Sequence, residues 1–152
     1  TIAQFNTACS DADFVTLAGS ESLTNKTISA TGQIKSSSPS AGVGYDTGAG
    51  GTVTQATNRT TAVTLNKICG EVVTVSAQTL TGTVTDFTVN NSTVAATDNV
   101  LVNVKGVVGG KYSVEAKAIA AGSFVIQTHT ITQNVTDEVL TFNFSVIKSV
   151  NA

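Results

Sequence analysis

With 152 residues the chain is long enough for one domain with a real core and a separate arm. Hydrophobic residues make up 41% of it, which excludes a disordered chain, while only 12% are charged, about half the usual share. The net charge of −2 is scattered, with no basic stripe for nucleic acid and no Lys/Arg cluster for anionic lipid.

Residue type says more than charge. Roughly one residue in six is Thr, Val and Gly are abundant, Pro occurs once at Pro39, and Met and Trp are absent. Thr and Val carry two heavy atoms on Cβ and fit a pleated surface better than a helix, so many short strands are expected. A surface of Thr, Ser and Asn suits a protein packed against other subunits. No apolar run approaches the ~20 residues of a membrane-spanning helix. The stretch from Thr1 to Asp13 lacks the basic start and apolar run of a signal peptide, and a first residue of Thr reads as a processed start.

Residues 1 to 40 read as an extended arm and linker. Apolar anchors (Ile2, Phe5, Phe14, Val15, Leu17, Leu23, Ile28, Ile34) stand in a polar, turn-rich background, and the helical spacing of Ile2, Phe5 and Cys9 is too short to hold alone. Lys35 to Ser40 is a crossing in which Pro39 biases Ser38 away from the helical region. Such an arm needs a surface to lie on, and Ile2, Phe5, Phe14, Leu17, Leu23 and Ile28 are its candidate partner-contacting residues.

Residues 41 to 152 read as a β-sandwich or jelly-roll-like domain of seven to eight short strands. Ala41 to Gly51 holds five glycines and forms a loop. Strand signals come next at Thr52 to Thr57 and at Thr61 to Ile68, where Val63 and Leu65 share a face. Cys69-Gly70 is expected to turn the chain into Glu71 to Gln78. Thr83 to Asn90 places Phe87 and Val89 alike, and Asn99 to Lys105 aligns Val100, Val102 and Val104. Lys111 to Ile119 points Tyr112, Val114, Ala116 and Ala118 inward, and Ser123 to Thr132 does the same with Phe124 and Ile126. Glu138 to Ile147 alternates Leu140, Phe142, Phe144 and Val146 with Thr141, Asn143 and Ser145. Regular spacing with Gly or Asn turns points to an all-β domain, and no long segment has a 3.6-residue period.

The residue inventory yields no catalytic, cofactor-binding or metal residues. His129 is the one histidine, on the face opposite Phe124 and Ile126, and reads as a solvent or interface residue. Asp11 and Asp13, and the Asp137-Glu138 pair, lack the dense pattern of a calcium loop and read as caps and turns. The string from Gly106 to Tyr112 is one residue short of a phosphate-binding loop and has Tyr112 where Ser or Thr is required. Gly48 to Gly51 has no helix after it to bind phosphate. The Asn-x-Ser/Thr triplets at Asn25, Asn58, Asn90, Asn91, Asn134 and Asn143 are expected by chance in this composition. Cys9 and Cys69 make no zinc site or disulfide framework and read as two small thiols, with pairing left open.

The stretch GVGYDTGAGGTVTQATNRTTAVTLNKICGEV, Gly42 to Val72, resembles a block of small virion structural proteins of tailed phages and prophages. FTVNNSTVAATDNVLVNV (Phe87 to Val104) and DEVLTFNFSVIKSVNA (Asp137 to Ala152) are similar to the middle and closing parts of the same family, so about 110 residues are covered. The arm phrase LAGSESLTNKTISATG (Leu17 to Gly32) is similar to linkers of tail-fibre and decoration proteins. The resemblance implies a non-enzymatic virion component. The expected role is a capsid decoration or cement protein on the capsid exterior, binding the major capsid protein through the arm as a homo-oligomer, with a trimer typical of that class. No cofactor, nucleic acid or membrane is implied. The alternative is a tail fibre or tail-tip component with a receptor-binding β-domain, for which two tyrosines, six phenylalanines and no tryptophan are a thin aromatic stock.

Overall fold

The structure is a computed structural model and describes residues 35–40, 42–105, 111–132 and 135–150, with backbone alone at 135 and 136. The chain divides into two units, Thr1–Gly42 and Val43–Ala152, and the second holds every strand found among the described residues. Ile2, Phe5, Phe14, Leu17, Leu23 and Ile28 lie outside the described residues, as do Cys9, Asp11, Asp13 and the turn 106–110.

Ten strands and no helix are found among the described residues: β1 (Thr52–Thr54), β2 (Val63–Thr64), β3 (Cys69–Val73), β4 (Ala77–Thr79), β5 (Val84–Asn90), β6 (Asn99–Lys105), β7 (Tyr112–Ala120), β8 (Ser123–Thr130), β9 (Val135–Glu138) and β10 (Thr141–Ile147). Two four-stranded sheets form in the orders β1-β3-β10-β6 and β2-β5-β8-β7, and β4 pairs with β9 in a separate ribbon. The pairings β1 with β3 and β2 with β5 are parallel, and the others are antiparallel.

The period-2 alternation decides which side of each strand is buried. Leu140, Phe142, Phe144 and Val146 project from one sheet, Phe87, Val89, Phe124 and Ile126 from the other, and all are buried. The rings interlock between the sheets: Phe87 and Phe142 have centroids 6.0 Å apart, Phe124 and Phe144 5.3 Å, both tilted. Each buried Phe contributes about 1.5–3 kcal/mol of burial, and a ring pair about 0.5–1.5 kcal/mol more. The domain is an all-β sandwich.

Several elements differ from their sequence reading. Cys69-Gly70 is the start of β3 and not a turn, because Gly51, Leu65 and Phe144 crowd over Gly70 and keep the chain extended there. The expected strand Glu71 to Gln78 is two strands, β3 and β4, since Thr74 leaves the sheet to exchange hydrogen bonds with Leu140. Thr61 to Ile68 shortens to the two residues of β2. Glu138 to Ile147 divides into the end of β9 and all of β10, with Asp137 at a positive φ of 44° just before the break. Ala118 is exposed and not inward. It adopts φ 48° where the register with β8 shifts between Lys117 and Ala120, and this bulge hands the core position to Ile119.

Among the described glycines, Gly70 is the most tightly enclosed. A Cβ there would stand 2.6 Å from Leu65 Cδ2, 2.8 Å from Gly51 O and 3.1 Å from Phe144 Cε1. Gly70→Ala is expected to destabilise the domain by about 1–3 kcal/mol in urea unfolding. Gly44→Ala, which meets nothing within 4 Å, is expected to stay within about 0.5 kcal/mol.

Candidate functional site

The two outer faces differ in chemistry. On the β2-β5-β8-β7 sheet, cross-strand register brings Asp86, Gln127 and Glu115 into one row and Val84, His129 and Ser113 into the next. Lys117 Nζ lies 2.6 Å from Asp86 Oδ2, and Gln127 Nε2 donates to Asp86 Oδ1 at 2.7 Å. These bonds, Lys117 first and Gln127 second, hold the Asp86 carboxyl below its ordinary range. His129 is exposed, as its alternation predicted, with its Nε2 3.1 Å from Gln127 Oε1.

An open groove of about 510 Å³ lies at the end of this face, between Thr81, Gly82, Ser113, Glu115, His129 and Ile131. Ser113 sits directly across from His129, and Glu115 one row on. A nucleophile–base pair needs a hydrogen bond between its members. His129 bonds Gln127 instead, and it bonds neither Ser113 nor Glu115 among the described residues. The groove can offer hydrogen-bond donors and acceptors to a polar ligand, beside the half-exposed apolar Ile131.

The outer face of the β1-β3-β10-β6 sheet is almost uncharged. Asn143 stands between Glu71 and Asn103, and Ser145 between Cys69 and Leu101. One ion pair, Lys105 with Glu71, crosses it. Leu101 and Ile147 are each about half exposed there, at 47% and 48%. Cys69 carries a half-buried free thiol.

Three buried polar nodes hold the ends of the sandwich, and none is apparent from the sequence reading. Asn91 is fully buried. Its Nδ2 donates to Lys67 O at 2.7 Å, while its Oδ1 accepts from Thr93 N and Thr93 Oγ1. One of the chance glycosylation triplets is thus an interior turn. Asp98 joins the loop before β6 to the chain after β10: it accepts from Ala95 N at 2.8 Å and pairs with Lys148 at 2.6 Å. The Ala95 amide first, then Lys148 and Ser149, hold its carboxyl below the ordinary value of 3.8.

The third node is Arg59, the chain's single arginine and 6% exposed. Its Nη2 donates to Glu138 O and its Nε to Val75 O at 3.5 Å, and its guanidinium lies 5.8 Å from the Tyr112 ring centre. Tyr112 and Thr79 share a hydrogen bond of 3.1 Å beside it. Glu138 is paired with Lys111, which, ahead of Tyr112 and Arg59, lowers its pKa against the opposing effect of burial. Asp137-Glu138, read as a turn from sequence, therefore contributes one carboxylate to a structural node. The usable signal was the lone Arg within a Thr-rich segment, since Arg is the cation best suited to interior hydrogen bonding.

Among the described residues no group of three or more His, Cys, Asp or Glu could hold a metal ion, and no helix is long and apolar enough to cross a membrane. Compared with known proteins, the chain matches no family model, no curated protein and no solved structure.

The nodes are open to mutation and titration. Arg59→Leu leaves the carbonyls of Glu138 and Val75 without the guanidinium that satisfies them, so a loss of about 3 kcal/mol is expected by chemical unfolding. Asp98 has a lowered folded pKa, so its stabilisation is full above pH 3.8 and disappears as pH falls through the lowered value. Asp98→Asn should therefore be less stable than the wild type at pH 7, and the gap should close in acid. A gap independent of pH, measured by thermal unfolding between pH 7 and pH 2, would remove Asp98 as the titrating group.

Proposed function

We propose that this chain is a phage virion structural protein, a non-catalytic capsid decoration or cement protein that binds the major capsid protein on the capsid exterior. The observation that carries this reading is the string resemblance from Gly42 to Val72. In the fold this stretch supplies β1, β2 and most of β3, which add parallel edge strands to both sheets. Two of its glycines belong to packing: Gly51 and Gly70 let this segment close over Leu65 and Phe144. A relative that shared the block would share this seam.

The mechanism is energetic. A weakly charged face of Asn, Ser and Thr with half-exposed Leu101 and Ile147 suits contact with other subunits at low desolvation cost. The arm, with Ile2, Phe5, Phe14, Leu17, Leu23 and Ile28 as its anchors, would add apolar contacts on neighbouring capsid subunits. Standard-sized interfaces of about 1,600 Å², repeated by a homotrimer over the shell, would gain by avidity. A tail-fibre or tail-tip role is the second reading, favoured by the polar groove beside His129 and Glu115, which could take a receptor group.

Imaging of intact particles separates the two by position and copy number: hundreds of copies mark a capsid, a few dozen a tail. Particles lacking the protein should burst at lower temperature or on chelation. If they keep their stability and fail to adsorb, the cement reading is lost. A chain without residues 1 to 34 is expected to stay folded and bind capsids much more weakly, measured by co-sedimentation.

A further inference from the structure

The groove at the end of the β2-β5-β8-β7 face is built on paired backbone. Gly82 N donates to Thr130 O at 2.8 Å and Ile131 N to Lys111 O at 2.7 Å, which ties its walls to the sheet. Ser113 and His129 are cross-strand partners, so their Cβ atoms stand about 4.5–5.5 Å apart on one face. Glu115, opposite Gln127, is the diagonal neighbour of His129, within reach of a long side chain. All three residues are exposed, and all three line the groove.

The hydrogen bonds around the groove fix what it offers. Gln127 Nε2 donates to the Asp86 carboxylate, so Gln127 Oε1 is the atom that meets His129 Nε2. That oxygen only accepts, which assigns the proton of the neutral ring to Nε2 and leaves Nδ1 as an acceptor. The Glu115 carboxylate also accepts, and Ser113 Oγ can do so. Charge is equally one-sided. Lys117 is taken by Asp86 and Lys111 by Glu138, while Glu115 has neither an ion pair nor a hydrogen bond among the described residues. Ile131, 51% exposed, adds an apolar wall.

We propose that this groove binds a primary alkylammonium group, the side chain of a lysine on a partner protein. An ammonium carries three donors and no acceptor, which matches Glu115, His129 Nδ1 and Ser113 Oγ. Its methylene stem would lie along Ile131. A guanidinium presents a flat fork that suits one carboxylate edge better than three separate acceptors. An anion meets the Glu115 charge, and a neutral sugar leaves that charge unpaired. The inference rests on the reading of the groove as a receptor site and names the chemistry that such a receptor presents.

Heteronuclear NMR of the full chain titrated with Nα-acetyl-lysine methylamide tests this. Saturable shifts are expected at the amides of Ser113, Glu115 and His129. Glu115→Gln is expected to weaken binding about tenfold, and Glu71→Gln, on the other sheet, to leave it unchanged. Nα-acetyl-norleucine methylamide keeps the stem without the charge and should shift none of these amides. Equal losses in the two variants, or equal binding of the norleucine compound, would overturn the inference. If methyl β-glucoside moves the same amides and the lysine compound does not, the inference falls while the receptor-site reading stands. If neither compound binds, both fall.

Discussion

Strand β10 is the piece on which the rest of the domain depends. It is the last strand in the chain, yet it lies inside its sheet, paired with β3 on one side and β6 on the other. Its Phe142 and Phe144 meet Phe87 and Phe124 across the sandwich. Without β10, β3 and β6 share no partner in the sheet, and the opposite sheet faces water with its aromatic residues. Both pairings join segments far apart in the chain, and long-range pairing of this kind makes for slow formation.

Around that core, charge is used sparingly and in pairs. Lys105, Lys111, Lys117 and Lys148 each meet a carboxylate. Exposed pairs of this kind contribute little individually. The pairs with Asp98 and Glu138 differ because hydrogen bonds from the backbone or from buried side chains join them. The edges are guarded differently: β7 carries Glu115, Lys117 and the bulge at Ala118, while β6 ends in Lys105. Charges and bulges on edge strands oppose uncontrolled strand addition. This leaves faces and loops for contact with a partner, which is what the proposed role in a virion requires.

Legibility from sequence followed the range of the forces involved. The β-class, the alternating faces of β5, β6, β8 and β10, and the outward position of His129 were readable because side chains alternate across a strand whatever it pairs with. The candidate site was much less legible. The arm anchors lie outside the described residues, and the groove forms only because β7 lies beside β8 and the Gly82 turn comes close to both.

The sequence by itself determined that this chain is an all-β domain with alternating strand faces and a weakly charged surface, since composition and period-2 patterning are local properties. Only the tertiary structure decided that Gly70 stays in a strand, that Ala118 turns outward and that Glu71 to Gln78 divides in two. Each depends on a neighbour far away in the chain: Gly51, Leu65 and Phe144 for the first, the β8 register for the second and Leu140 for the third. The same holds for Arg59, Asn91 and Asp98. A polar residue enters the interior only where distant backbone groups satisfy it, and one sequence does not show which carbonyls will be there.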